Sequence, residues 1–516
     1  MRINTAITIV VLDIVISVSG FAQEKPKDWF NEEFELSTAR GISIDHFYDI
    51  IDSTDLEKVV VAVIDNGVDI YHEDLKHAIW VNDGEVADNQ IDDDHNGYID
   101  DVNGWNYLGN PSGENVNHAN LEITRLYRFY SKKFDSVNVD TLSANDIEDF
   151  VQFKEIENAF EKETRKIKKQ FEEYSQLAAL YSGAMSYMEK KFGTSEFTIN
   201  ELLSYETESL DEKQVIEFLL MAEKEGLSEY LKDGESYFDN ALNYHYNIDF
   251  NPRAIVNEAI LDSAGVMYGN NQVWASKPDH GTHVAGIIAA NRNNDIGISG
   301  IATNALIMPL RAVPDGDERD EDIARAILYA ADNGAQIINM SFGKKYSPNS
   351  KMVEDAIDYA LSKDILLIHA AGNEAVNIDE EFHYPRGIKK NNKSKKGFLT
   401  VGAHTMKDST YILADFSNYG VKSVDILAPG EDIYSTISGN EYKRYSGTSM
   451  AAPVVSGLAA IYRGKYPDKS AQQIKKLIQK SLLKYKNIKT KIDEDKVELK
   501  SVVRHPGFLD IRRVFD

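Results

Sequence analysis

From about Ala254 onward, short apolar runs alternate with stretches of helical spacing, and no other feature of the sequence limits the fold as strongly. Runs 305–313, 336–340, 365–370 and 398–401 have the length and residue types of strands. Between them, 321–333 and 352–363 place apolar residues at the three- and four-residue steps of an amphipathic helix. Strands alternating with helices imply a parallel sheet covered on both faces. An earlier run, Lys-Val-Val-Val-Ala-Val-Ile at 58–64, is β-branched and does not alternate, as a strand buried on both faces requires, and it ends at Asp65. The expected fold class is α/β, a doubly wound, mostly parallel sheet.

Between these parts lies a charged, Pro-free stretch, 118–247. Phe150, Phe153, Ile156, Phe160, Ile167, Phe171, Tyr174, Leu177, Tyr181, Met185, Met188 and Phe192 recur mostly at helical steps, which predicts one long helix with an apolar seam. Thr198 with Glu201, and Ser209 with Glu212, have the spacing of helix-start capping pairs, so further helices are expected to fold back on that seam. The stretch is an inserted α-helical arm, and its aromatic stripe is read as packing.

Acidic side chains number 83 against 56 basic ones, a formal charge of −27. That charge repels phosphate backbones and anionic lipid, so no nucleic-acid partner is expected. The chain has no Cys, which excludes disulfides and thiolate metal sites. At the start, Arg2, an apolar run over 6–18 broken by Asp13, and Gly20-Phe21-Ala22 have the layout of an export signal, too short to span a bilayer comfortably. Cleavage after Ala22, export to the periplasm or the cell exterior, and no stable membrane span are the expectations.

Three segments carry chemistry, each with an ordinary structural reading beside it. Asp65 ends a buried strand at the carboxyl edge of the sheet, where open α/β folds build their sites, and also suits a turn start. His280-Gly281-Thr282-His283-Val284-Ala285-Gly286 opens an apolar helix, where one His can cap and the other sit in the core; the Glu of a His-Glu-x-x-His zinc pair is missing. Gly447-Thr448-Ser449-Met450-Ala451 precedes another apolar helix, which Ser449 can simply cap. Taken together they supply a hydroxyl nucleophile, a base to deprotonate it and a carboxylate to orient the base.

With Ala371-Gly372-Asn373, and with Asp65-Asn66-Gly67-Val68-Asp69 as the first segment and Ala452-Pro453 closing the last, these segments resemble in kind and order the four signatures of the subtilisin family of serine proteases. The resemblance covers roughly 45–112 and 251–483. It implies a three-layer α/β/α domain that hydrolyses peptide bonds of protein or peptide substrates. Ser449 would attack the carbonyl, His280 would act as base and then acid, and Asp65 would orient His280. Asn373 and the Ser449 N–H would hold the oxyanion. Ser341, Phe342 and Gly343, just after a strand, resemble the edge that pairs with an extended substrate, with Ala371 and Gly372 also at substrate and Glu374 at a pocket rim.

One loop argues for calcium. Asp92, Asp94, Asn96, Gly97 and Asp100 occupy positions 1, 3, 5, 6 and 9 of a calcium-loop pattern, and Tyr98 would add its carbonyl. Asn103 stands where that pattern wants a bidentate Glu, which leaves three readings open: a weaker site, a ligand from elsewhere, or a solvated acidic turn. Crowded carboxylates repel without a counter-ion, which favours the cation.

The expected organisation is therefore a signal peptide over 1–22, catalytic segments over 23–112 and 251–485, a helical insertion over 113–250 that restricts access or docks a partner, and a tail over 486–516. Two rivals remain. An esterase of the α/β-hydrolase kind fits Gly-x-Ser-x-Ala, but needs its acid and His after the Ser, where only His505 stands. A binding protein without activity has no use for all four reactive side chains.

Overall fold

The structure, a computed structural model, describes residues 27–35, 40–194, 196–256, 268–388, 394–406, 412–485, 487–492 and 495–515. The expected export signal lies outside them. No helix among the described residues is long and apolar enough to cross a membrane.

The chain divides into two units, Pro26–Glu122 with Asp249–Asp516, and, among the described residues, Ile123–Ile248. The first is built on seven parallel strands: β1 Val59–Asp65, β2 Trp105–Asn106, β3 Ala305–Arg311, β4 Ile337–Met340, β5 Leu366–Ala370, β6 Phe398–His404 and β7 Ile426–Pro429. Their order is β2-β3-β1-β4-β5-β6-β7. The predicted α/β class and parallel sheet are thus observed. β1 is central because both its faces are apolar: Val59, Val61 and Val63 pack on one side with Val284 and Ile287 of the helix Asp279–Ala289 and Val455 and Leu458 of the helix Thr448–Lys465. Ala62 and Ile64 pack on the other side with Ile323 and Ile327 of Asp320–Asp332 and Val353 and Ile357 of Ser350–Ser362. Each such buried aliphatic side chain contributes about 1.5–3 kcal/mol, so the β1 face pattern alone favours this layering strongly.

The sheet changes direction of growth at β1, which pairs with β3 on one side and β4 on the other. In open α/β sheets the crevice at the carboxyl ends of such strands is where ligands bind. Asp65 ends β1, Ser341 follows β4, and Ala371-Gly372-Asn373 follows β5, so three of the sequence segments open onto one edge. An antiparallel hairpin, β8 Ile433–Ile437 and β9 Glu441–Tyr445, leads into the helix that carries Ser449.

Two boundaries differ from the sequence expectation. Residues 113–122 belong to the sheet unit: Asn117 O accepts from Asp315 N, and Ala119 N donates to Asp315 O, both at 2.8 Å. The tail also belongs there, with Val502, Val503, Phe508, Leu509 and Ile511 buried.

In the other unit, Ala144–Phe192 is a single helix of 49 residues. Ser143 caps its start by accepting from Asp146 N, and Gly193, at φ 74°, ends it in the left-handed region that glycine adopts without cost. Leu177 and Met188 pack with Ile216 and Leu219 of Leu210–Lys224 and with Leu231 of Leu227–Asn240. Thr198 and Glu201 form a reciprocal capping box.

Candidate active site

Asp65 and His280 are brought into contact by backbone that only glycine permits. A Cβ on Gly281 would stand 2.0 Å from the Gly67 carbonyl oxygen, so the helix start can approach the Asp65 turn only without one. Gly281 N then donates to Asn66 Oδ1 at 2.9 Å, and Asp69 N donates to Thr282 Oγ1 at 2.8 Å. Within this strap, His280 Nδ1 lies 2.7 Å from Asp65 Oδ1. Asp65 is 2% exposed while the His280 side chain is 37% exposed, so the carboxylate is shielded and the imidazole faces the opening. Burial opposes protonation of His280, but the Asp65 charge and its hydrogen bond outweigh it, and its pKa is raised above the ordinary histidine value.

His283, one turn on, is the core side chain of the pair. Its Nε2 lies 3.0 Å from the carbonyl oxygens of Ile433 and Lys443, and burial pushes its pKa down to about 3. It is therefore neutral and fully buried.

Ser449 is the second residue of its helix, where backbone N–H groups lack intrahelical partners. Its hydroxyl donates to the Ser341 carbonyl at 3.0 Å, and Ser341 Oγ donates in return to the Ser449 carbonyl at 2.9 Å. Asn373 is oriented by Thr448, the residue before Ser449: its Oδ1 accepts from both Thr448 N and Thr448 Oγ1 at 2.9 Å. With the oxygen so committed, the Nδ2 donor is turned outward. A Cβ on Gly447 would lie 3.4 Å from Asn373 Nδ2 and 3.6 Å from Ser449 N, so the two donors converge on one small space that Gly447 keeps open.

Asp65, His280, Ser449 and Asn373 line one cleft of about 980 Å³, together with Ser341, Phe342 and Gly343. Arg311, aligned with Asp65 across the β1–β3 pair, also lines it, and the sequence analysis did not single it out. Ala371 and Gly372, the other residues expected at the substrate, are buried between β5 and Asn373. Their backbone is spent internally: Ala371 N on Val401 O, Ala371 O on Asn418 Nδ2, Gly372 N on Thr448 Oγ1 and Gly372 O on Asn418 N. They carry Asn373 at the end of this bonded segment.

The acidic loop brings together a different carboxylate set from the expected one. Oxygens of Glu85, Asp92 and Asp94 lie within 4.8 Å of one another. Asp100, at φ 54°, instead turns its carboxylate onto the N–H groups of Asn89 and Gln90 at 3.1 and 2.9 Å. Asn96 Oδ1 accepts from Tyr98 N, and the Tyr98 ring packs edge-on against Trp105 and Tyr329. Glu85 lies seven residues before the pattern, and no spacing rule pointed to it.

The subtilase family description (Peptidase_S8) matches residues 233–501, just over half of the chain. That span includes His280, Asn373 and Ser449 and leaves out Asp65. The chain is 45% identical over 184 residues to the thermophilic serine proteinase of Bacillus sp. (strain AK1), covering 36% of this chain and 42% of that protein. It is 36% identical over 197 residues to subtilisin BL of Lederbergia lenta, covering 38% and 67%. With the cell wall-associated protease of Bacillus subtilis (strain 168) it shares 37% identity over 214 residues, covering 41% and 22%. The chain thus spans about two-fifths of the first of these relatives.

Proposed function

The chain belongs to the subtilase family, and from that premise we propose that it is a serine endopeptidase working through an Asp65-His280-Ser449 triad. The observation that carries the reading is the 2.7 Å contact between Asp65 and His280. It joins a residue outside the family match to one inside it, in the geometry that a general base and its orienting carboxylate require.

Each step follows from groups in the cleft. A substrate strand laid along 341–343 offers N–H donors to the Ser341 carbonyl, which releases the Ser449 hydroxyl. That hydroxyl attacks the peptide carbonyl while His280 Nε2 takes its proton. Negative charge then develops on the carbonyl oxygen, and Asn373 Nδ2 and the Ser449 N–H stabilise it at that moment more than before. His280 returns the proton to the leaving amine, and water hydrolyses the acyl-enzyme by the same route in reverse. Asp65, shielded and charged, favours the imidazolium at each transfer.

Calcium fits the acidic loop. Glu85 and Asp92 with Asp94 would hold it as hard oxygen donors, replacing the missing bidentate ligand of the loop pattern and neutralising carboxylates that otherwise repel. The reading also includes export, which rests on the layout of residues 1–22, and protein or peptide substrates. The helical unit enters it through sequence position alone, inserted between two triad segments as an access-restricting or partner-docking element.

The test is labelling by a fluorophosphonate together with cleavage of peptide amides. Both are expected in the natural protein and absent from Ser449→Ala, whose rate should fall about 10⁶-fold, the loss that removal of the nucleophile brings in subtilisin itself. Labelling that survives Ser449→Ala, or turnover of esters but not amides, would contradict the proposal.

A further inference from the structure

Pro453 stands four residues after Ser449 in the same helix. A helical carbonyl accepts from the N–H four residues on, and proline has none, so the Ser449 carbonyl loses that partner and is pressed outward by the ring. A replacement comes from the end of β4. Ser341 Oγ donates to the Ser449 carbonyl at 2.9 Å. Its one proton is used there, so toward Asn339 Nδ2, 3.0 Å away, it acts as acceptor. Asn339 Oδ1 in turn accepts from Ser456 Oγ at 2.8 Å, which orients the amide. Asn339 lies in β4 and Ser456 further along the Ser449 helix, and both are fully buried. The donors therefore run one way, from Ser456 through Asn339 and Ser341 to the peptide of Ser449 itself. A buried amide is costly unless both its ends are bonded, and here both are, one of them toward the nucleophile.

We propose that Asn339 is a positioning residue for Ser449, acting through Ser341 Oγ to hold the nucleophile's carbonyl in place of the helix bond that Pro453 takes away. The inference rests on reading Ser449 as the nucleophile and its N–H as an oxyanion donor. Both groups spring from the Cα that carries the held carbonyl. A shift of that peptide therefore moves the hydroxyl relative to His280 and the N–H relative to Asn373 Nδ2 at once. Misplacing reacting groups by about 1 Å costs about 10²-fold in rate, so one lost hydrogen bond here reaches further than its own strength. Asn339 touches neither the substrate nor the reacting atoms, and its effect falls on rate more than on binding.

The test is fluorophosphonate labelling with its rate and its final extent read separately. The extent counts folded, competent molecules, and the rate reports the placement of Ser449 within them. Asn339→Ala should be labelled to the same extent as the natural protein but about tenfold or more slowly, with kcat on a peptide amide lowered and KM little changed. Pro453→Ala restores an N–H for the Ser449 carbonyl, so adding Asn339→Ala to Pro453→Ala should slow labelling by less than about twofold. Should Asn339→Ala not fold, Ser341→Ala, which removes only the hydroxyl, should show the same slowing and the same relief by Pro453→Ala. An undiminished rate in these variants, or a slowing that Pro453→Ala leaves in full, overturns the proposal while the triad stands. A natural protein that takes no label overturns the triad reading, and the positioning role with it.

Discussion

Asp65 Oδ1 holds His280 Nδ1 at 2.7 Å, although the two residues stand 215 positions apart in the sequence. The bond determines the ring's orientation and its charge. Two opposing effects act on the imidazole: burial disfavours the cation, and the Asp65 carboxylate favours it more strongly, so the pKa is raised.

For catalysis the base must be neutral. The acid limb of the kcat/KM profile should therefore lie above the ordinary histidine value of about 6.5. Asp65→Asn removes the raising cause and leaves burial, so the limb should move to lower pH while the rate falls by about 10⁴, the size of loss that wrong tautomer and lost charge bring in a related triad. For stability the sign is opposite to that for activity: a histidine with raised folded-state pKa stabilises below its unfolded pKa, and that contribution is lost as pH rises through the folded value. An acid limb that does not respond to Asp65→Asn would contradict the pairing.

Gly447 gives a test of the donor pair that leaves both donors in place. Its φ of 167° is extended backbone that alanine adopts freely, so Gly447→Ala is not strained. The added methyl would stand 3.4 Å from Asn373 Nδ2 and 3.6 Å from Ser449 N, in the space where the oxyanion forms. The expectation is a fall in kcat of about 10²–10³, the loss that one missing oxyanion donor brings in subtilisin itself, with little change in KM. A change confined to KM would show that the space serves ground-state binding.

Removal of calcium should destabilise the sheet unit. If calcium at about 100 times its Kd binds only the folded chain, it adds about 2.7 kcal/mol, and chelation should lower Tm accordingly. Glu85→Gln should remove most of the calcium dependence of Tm, and Asp100→Asn should remove little of it, because the Asp100 carboxylate is engaged with the Asn89 and Gln90 amides. Equal effects would restore the loop pattern read from spacing.

The fold was legible wherever burial on both faces left a continuous apolar run, as at Val59–Asp65 and Leu366–Ala370. Trp105–Asn106 was not, because a two-residue strand carries no periodicity, and its place depends on Leu310 and Arg311 far along the chain. The packing of the tail was hidden for a similar reason: Val503, Phe508 and Ile511 are buried, yet their spacing follows neither a helix nor a strand. In the site, Asp65, His280 and Ser449 were readable because each stands at the start of a turn or helix beside the glycines that allow close approach. The commitment of Asn373 Oδ1 to Thr448 and of the Ala371 and Gly372 backbone to Asn418 and Val401 was not readable, since it depends on contacts between distant loops. The contacts of the Asp100 carboxylate with the Asn89 and Gln90 amides were likewise not readable, since ligand spacing presumes a loop conformation that the sequence does not show.

The central claim is that Asp65, His280 and Ser449 act as one unit. Single-turnover rates on one peptide amide for Ser449→Ala, His280→Ala and the double variant test it most directly. A unit predicts that the double variant is no slower than Ser449→Ala alone, because once the nucleophile is gone the base has nothing to activate. Losses that multiply, with the double variant slower by the product of the two single effects, would mean that the two residues work independently and that the triad account is wrong.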